Sequence, residues 1–257
     1  MTAQPLIPWP GGKRRLAPQL YPMFPAHRCY VEPFAGAAAM LFGRESPAKV
    51  EVLNDINRDL ISLYRVVQHH LEEFVRQFRW ALLSREMFKW CKLTNPEALT
   101  DIQRAARFFY LQQLSFGGKV EGRTFGTTTT SPPVNLLSTR IEETLSAAHI
   151  RLARVIVECL PWQECIKRYD RPHTLFFCDP PYWQVAGYDC PFGIEQYEQL
   201  AELMGTCNGR FLLTINDHPD MRRVFKAFDS KPLETTYQMG RTSESKTKIR
   251  KELVFSR

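Results

Sequence analysis

Apolar positions along the chain follow two rhythms. Tyr30-Val31 closes a short apolar run that stops at Glu32-Pro33-Phe34-Ala35-Gly36, and Lys49 to Leu53 alternates around Val50 and Val52 before stopping at Asn54-Asp55. Helix-compatible sequence follows each run: Ala37 to Gly43 after the first, and Ile56 to His70, with a 3.6-residue apolar period, after the second. Strand, turn and helix, twice over, predict the start of a parallel α/β sheet. From about Arg58 to Ala147 the texture is helical, with long patterns at Leu71 to Leu83 and Asp101 to Leu114, then a Gly- and Thr-rich stretch from Phe116 to Pro133. Strand patterns return at Val155 to Leu160, Leu175 to Cys178, Phe211 to Ile215, Leu233 to Tyr237 and Glu252 to Phe255. This order predicts an α/β domain made of residues 1–57 and 148–257, interrupted by a mainly helical insertion at 58–147.

Composition sharpens this only a little. With 257 residues, 44% hydrophobic and 24% charged, the chain can bury a proper core and is not a disordered segment. A formal net charge of +7 favours an anionic partner without identifying one. The 7 cysteines are odd in number, far apart and form no C-x-x-C pair, so reduced thiols are expected. The 6 histidines are scattered, and no metal site is implied. No run approaches the ~20 apolar residues of a membrane span. The start of the chain, with Gln4, Pro5, Pro8, Trp9 and Pro10, lacks a charged region followed by an apolar one, so a cytoplasmic protein is expected.

Candidate chemistry begins with Asp179-Pro180-Pro181-Tyr182, just past the apolar run Leu175-Phe176-Phe177-Cys178. Ligands of open α/β sheets bind beyond the carboxyl ends of strands. The two prolines fix an extended path and remove two N–H groups, so the Asp179 carboxylate and nearby carbonyls face a ligand that offers donors, such as an amino group. Tyr182 offers a flat face on which a purine stacks, at roughly 1–3 kcal/mol per base. Standing alone, the same four residues would read as an ordinary turn after a strand.

They do not stand alone. The turn Glu32-Pro33-Phe34-Ala35-Gly36 lets backbone approach a ligand at the first strand-to-helix junction, and Asp55 ends the second strand about twenty residues later, where an acid accepts from ribose hydroxyls. An ordinary tight turn and a helix N-cap ahead of Ile56 are the plain alternatives for Gly36 and Asp55. Because no G-x-G-x-x-G is present, a nucleoside without phosphates suits the turn better than a dinucleotide. Near the amino terminus, Pro8-Trp9-Pro10-Gly11-Gly12-Lys13 joins an indole, a flexible diglycine and a cation.

Taken in order, these segments resemble the DNA adenine methylase family. The resemblance rests on Trp9-Pro10-Gly11-Gly12-Lys13, Val31-Glu32-Pro33-Phe34-Ala35-Gly36, Asn54-Asp55-Ile56-Asn57-Arg58-Asp59-Leu60-Ile61, Asp179-Pro180-Pro181-Tyr182 and, less sharply, Leu213-Thr214-Ile215-Asn216-Asp217-His218. It implies a Rossmann-like, S-adenosylmethionine-dependent methyltransferase sheet with an inserted target-recognition domain acting on double-stranded DNA, in a monomer. By the same resemblance Trp9, Lys13, Glu32, Pro33, Phe34, Gly36, Asp55, Ile56 and Asp179 would contact S-adenosyl-L-methionine. Asp179 and the Pro180 carbonyl would accept from the amino group of an extruded adenine, with Pro181 bracing the turn and Tyr182 stacked on the ring. The amino nitrogen would then attack the sulfonium methyl directly.

In the insertion, Phe116-Gly117-Gly118-Lys119 and Glu121-Gly122-Arg123-Thr124-Phe125-Gly126 combine glycine turns with cations, so Lys119 or Arg123 is expected to touch DNA; a solvated basic loop is the plain alternative. Lys246 and Lys248, with Arg241, Arg250 and Lys251, form a second basic stretch expected at DNA. The family pattern is not followed everywhere. Gly117 replaces the usual Asn after Phe, and Ala37-Ala38 follows Gly36 where many members keep a second glycine. A cytosine amino-methyltransferase of the same fold and a DNA-binding module without catalysis remain the competing readings. None of the 18 prolines precedes a cysteine, which sets aside methylation of cytosine carbon.

Overall fold

A computed structural model describes residues 3–79, 81–126, 136, 139–185, 191–238 and 247–257, apart from the side chains at 139–140, 234–238 and 247–250. Among the described residues the strands are β1 (Cys29–Glu32), β2 (Val50–Asn54), β3 (Val155–Glu158), β4 (Thr174–Cys178), β5 (Arg210–Asn216), β6 (Asp229–Gln238) and β7 (Thr247–Ser256). The helices are α1 (Ala17–Leu20), α2 (Ala39–Phe42), α3 (Arg58–His69), α4 (Leu71–Arg76), α5 (Arg85–Leu93), α6 (Asp101–Leu114), α7 (Thr139–Leu152), α8 (Trp162–Tyr169), α9 (Ile194–Thr206) and α10 (Pro219–Val224). Among the described residues no helix is long and apolar enough to cross a membrane.

One sheet holds all of these strands in the order β3-β2-β1-β4-β5-β7-β6. The pairs β3/β2, β2/β1, β1/β4 and β4/β5 are parallel, while β7 runs antiparallel to both β5 and β6. From β1 the chain winds outward through β2 and β3, then returns to lay β4 on the other side of β1. The strand order therefore reverses between β1 and β4, and a crevice at such a reversal is where open α/β sheets bind ligands.

Alternation within the central strands sends side chains to two cores. Leu175 and Phe177 of β4 face one cluster with Tyr30, Leu53 and Leu212, whereas Phe176 and Cys178 face the other with Val31, Val52 and Leu213. The first core is covered by α2 through α7 and the second by α8, α9 and α10. Helices between β2 and β3 thus share a single core with one face of the sheet.

The strands expected from the sequence all form, β6 and β7 being longer than the pattern suggested because they pair with each other along their full lengths. The helix expected over Leu71 to Leu83 differs: α4 stops at Arg76, and a separate helix, α5, begins after Ser84. Ser84 is the reason, since its hydroxyl accepts from the N–H groups of Glu86 and Met87 and so starts a new helix. Thr100 and Gln103 form a capping box that fixes the start of α6. The Thr-rich patch at 127–133 lies outside the described residues.

Candidate active site

At the reversal point the carboxyl ends of β1, β2 and β4 open into a cavity of about 270 Å³. Trp9, Lys13, Glu32, Pro33, Phe34, Gly36, Asp55, Ile56 and Asp179 line it, as does Pro181. Residues remote in sequence meet there because three parallel strands end side by side.

The wall after β1 is built from main-chain bonds. Gly36 adopts φ +48, and a Cβ on it would lie 2.7 Å from Trp9 Nε1, so both the backbone conformation and the packed indole demand glycine. Its N–H donates to Asp55 Oδ2 at 2.9 Å and its carbonyl accepts from Tyr64 Oη at 2.5 Å. Asp55 also accepts the Asn57 N–H at 2.9 Å through Oδ1, while Asn57 itself caps α3 by accepting from Leu60. Asp55 is therefore not the N-cap of that helix; it ties the end of β2 to the glycine turn and faces the cavity. Fully buried Asn54 joins three strand ends, donating to the Pro33 and Leu160 carbonyls and accepting the Leu160 N–H at 2.9 Å. Two residues past Gly36, Ala38 holds φ 51, a left-handed conformation that a side chain disfavours by roughly 1–2 kcal/mol.

Side chains build the wall after β4. Asp179 Oδ1 accepts from Thr214 Oγ1 on β5 at 2.8 Å and pairs with Lys13 Nζ at 2.7 Å. Oδ2 has no hydrogen-bond partner among the described residues, and the side chain is 20% exposed. Lys13, only 3% exposed, also donates to the Gly11 carbonyl at 2.8 Å and sits 4.7 Å from the centre of the Tyr182 ring. Two of the ammonium's three donors are used in these bonds, and the cation orients Asp179. Burial pushes the Asp179 carboxyl above the usual aspartate range, and Lys13 and Thr214 oppose that rise.

On the neighbouring strand, Glu32 is pushed up to about 8 by burial, against the lowering effect of hydrogen bonds from Tyr30 and the Leu41 N–H. Tyr30 Oη donates to Glu32 Oε1 at 2.9 Å. Near neutral pH the cavity therefore carries one carboxyl held mostly neutral beside one held by a cation.

Aromatic rings form the other end. Phe34 lies 5.8 Å from Trp162 and 5.7 Å from Phe192, and Trp162 Nε1 donates to Gln196 Oε1 at 2.8 Å. Trp162, Phe192 and Gln196 line the cavity but escaped the sequence reading. A signal existed for Trp162, which follows the carboxyl end of a predicted strand; none existed for Phe192 or Gln196, which arrive from beyond the 186–190 segment.

Pro180 and Tyr182 do not line the cavity. Tyr182 is buried, its Oη donating to Glu252 Oε2 at 2.6 Å and its ring facing Lys13. Behind it, the Pro181 carbonyl accepts from Tyr197 Oη.

The loop from Ser115 to Gly126 closes through a bridge between Ser115 and Phe125. Lys119 is exposed on it, whereas Arg123 turns inward, donating to Gln112 Oε1 at 3.2 Å with its guanidinium 5.1 Å from the Phe108 ring centre. Lys246 lies outside the described residues, and Lys248 lies in β7 with its side chain outside them.

Comparison with known proteins decides the family. The family model described as D12 class N6 adenine-specific DNA methyltransferase matches residues 9–239. The chain belongs to that family. This D12-class methyltransferase is 25% identical over 271 aligned positions to the DNA adenine methylase of Haemophilus influenzae, covering 98% of the chain and 92% of the relative. It is 24% identical to the Type II methyltransferase M.CviBI of Paramecium bursaria Chlorella virus NC1A, with 91% of each covered, and 24% identical to the DNA adenine methylase of Escherichia coli K12, with 84% and 81% covered. The α/β sheet is that of a methyltransferase, and the enzyme is a DNA adenine methyltransferase.

Proposed function

We propose that the cavity binds S-adenosyl-L-methionine and that Asp179-Pro180-Pro181-Tyr182 receives the amino group of an adenine extruded from double-stranded DNA. The observation that carries this reading is the charge of the lining. Lys13, the only cation among the described lining residues, is already paired with Asp179, so no cation of the lining is left for a phosphate; Asp55 is a further acid on the wall, and Glu32 is largely neutral near pH 7. Such a wall disfavours a polyphosphate and suits a nucleoside carrying cationic groups.

The residues present fit that group. Asp55 lines the cavity with its carboxylate oriented by the Gly36 and Asn57 N–H groups, and a carboxylate so placed is an acceptor suited to ribose hydroxyls. Phe34, Trp162, Phe192 and Ile56 form an apolar slot for a purine ring. Gly36 and Trp9 shape the opposite side, where a Cβ has no room. When bound, the cofactor supplies an electrophilic methyl group.

The chain's own part in the reaction is to orient an amino group. An aromatic amine shares its lone pair with the ring and is a weak nucleophile; acceptors that take its hydrogens favour the tetrahedral form. Asp179, fixed through Oδ1 by Lys13 and Thr214, presents Oδ2 as one acceptor, and the Pro180 carbonyl is the second. Tyr182 and Pro181, fixed by Glu252 and Tyr197, hold the tetrad rigid. Because the Tyr182 ring already faces Lys13, stacking of a base on it requires the face turned away from the cation. Residues 58–147, with Lys119 and Arg123, and the basic stretch with Lys246 and Lys248 form the DNA-recognition part of this proposal.

Equilibrium dialysis with labelled S-adenosylhomocysteine tests the cofactor assignment. Wild type is expected to bind one equivalent, and Asp55→Ala to bind about tenfold or more weakly. Absence of binding by a folded wild-type protein would reject the assignment.

A further inference from the structure

Gln112, near the carboxyl end of α6, is fully buried yet polar. Its amide bonds at both ends. Nε2 donates to the Pro8 carbonyl at 2.9 Å and to the Gly118 carbonyl at 2.5 Å, and Oε1 accepts from Arg123 Nη2 at 3.2 Å. A buried amide is costly unless bonded, and an apolar side chain would fill the same space without that requirement. Here one amide joins the amino-terminal segment to both arms of the Ser115–Gly126 loop.

Two neighbouring contacts make the same connection. Gly118, at φ +66, packs so closely on Pro8 that a Cβ would lie 3.1 Å from the Pro8 carbonyl carbon. Phe108 stands between the two segments, 6.4 Å from the Trp9 ring and 5.1 Å from the Arg123 guanidinium. The amino-terminal segment held in this way is the one that sets Trp9 against Gly36 and Lys13 on Asp179.

We infer that Gln112 is a positioning residue that couples the Ser115–Gly126 loop to the cavity, so that DNA on the loop and cofactor in the cavity reinforce each other's binding. This rests on the cavity and loop assignments proposed above. A shift of the loop reaches the Pro8 carbonyl through a single side chain, and Trp9 is the next residue. Coupling between two sites is reciprocal and is measured as a ratio of affinities.

The test is dialysis of labelled S-adenosylhomocysteine, which cannot turn over, against the full chain with and without saturating methyl-free plasmid DNA. Wild type is expected to bind the probe about fivefold or more tightly when DNA is present. Gln112→Met, close in shape but without the amide, is expected to lose that gain while binding the probe alone within about threefold of wild type. General loosening of the fold would instead weaken both affinities together and preserve their ratio. Gly118→Ala, which forces the loop off Pro8 and leaves Gln112 intact, provides a second reading if Gln112→Met does not fold; it too is expected to reduce the gain. Retention of the full gain by a folded variant of either kind, or no gain in wild type, would overturn the inference. A wild type that binds no probe at all would instead overturn the cofactor assignment, and the coupling with it.

Discussion

Adjacent strands β1 and β4 each end in an acid at the cavity, and the two ends are held in opposite ways. After β1, the turn through Gly36 is pinned by main-chain groups bonded to Asp55, Asn54 and Tyr64, and Glu32 is buried with hydroxyl and amide donors around it. After β4, Asp179 is pinned by side chains brought from elsewhere, Thr214 from β5 and Lys13 from the amino-terminal segment. Burial acts on both carboxyls, but only Asp179 has a cation within ion-pair distance. Glu32 therefore shapes the cavity largely as a neutral group near pH 7. Asp179 keeps an oriented carboxylate with one oxygen available, which is what an amino-group acceptor requires.

Replacements at the two ends can break this contrast. The largest effect is expected from Asp179→Asn, which replaces the carboxylate by a weaker acceptor: kcat for methyl transfer falls about 10²–10³-fold, while S-adenosylhomocysteine still binds. Single-turnover methylation kinetics combined with dialysis check this. Next comes Gly36→Ala, whose Cβ would press on Trp9 at 2.7 Å; cofactor affinity is expected to drop by about tenfold or more, with a change in tryptophan fluorescence.

Glu32→Gln follows, and it acts on stability. The folded carboxyl, at about 8, lies above its ordinary value, so its contribution is fully present below about pH 4.5 and is lost as pH rises through 8. The substitution should leave thermal stability nearly unchanged at pH 5 and raise it at pH 9; equal shifts at both pH values would contradict a buried neutral acid. The smallest effect is expected from Thr214→Val. Because the Thr214 hydrogen bond lowers the Asp179 pKa, its loss raises that pKa and should move the acid limb of the kcat/KM profile to higher pH.

Most of this architecture was legible from alternation and turn residues. The strands and the positions of Gly36, Asp55 and Asp179 followed from runs that stop at turn signals. What periodicity could not show was long-range hydrogen bonding. Asn54 reads as a strand terminator, yet its amide joins Pro33 to Leu160, which lies 106 positions beyond Asn54 itself. Arg123 reads as a free cation on a loop, but its guanidinium lies over Phe108. Lys13 reads as a cofactor ligand, and only the fold shows its ammonium committed to Asp179 and Gly11. The break between α4 and α5 was readable at Ser84, but the continuing apolar period masked it.

The central claim is that an anchored carboxylate at the end of β4 directs methyl transfer to the amino group of adenine. Incubating the wild-type enzyme with methyl-labelled S-adenosylmethionine and methyl-free DNA, then digesting to nucleosides, tests it most directly. The label is expected in N6-methyladenine. Label in amino-methylated cytosine, or none on DNA that the protein demonstrably binds, would contradict the account.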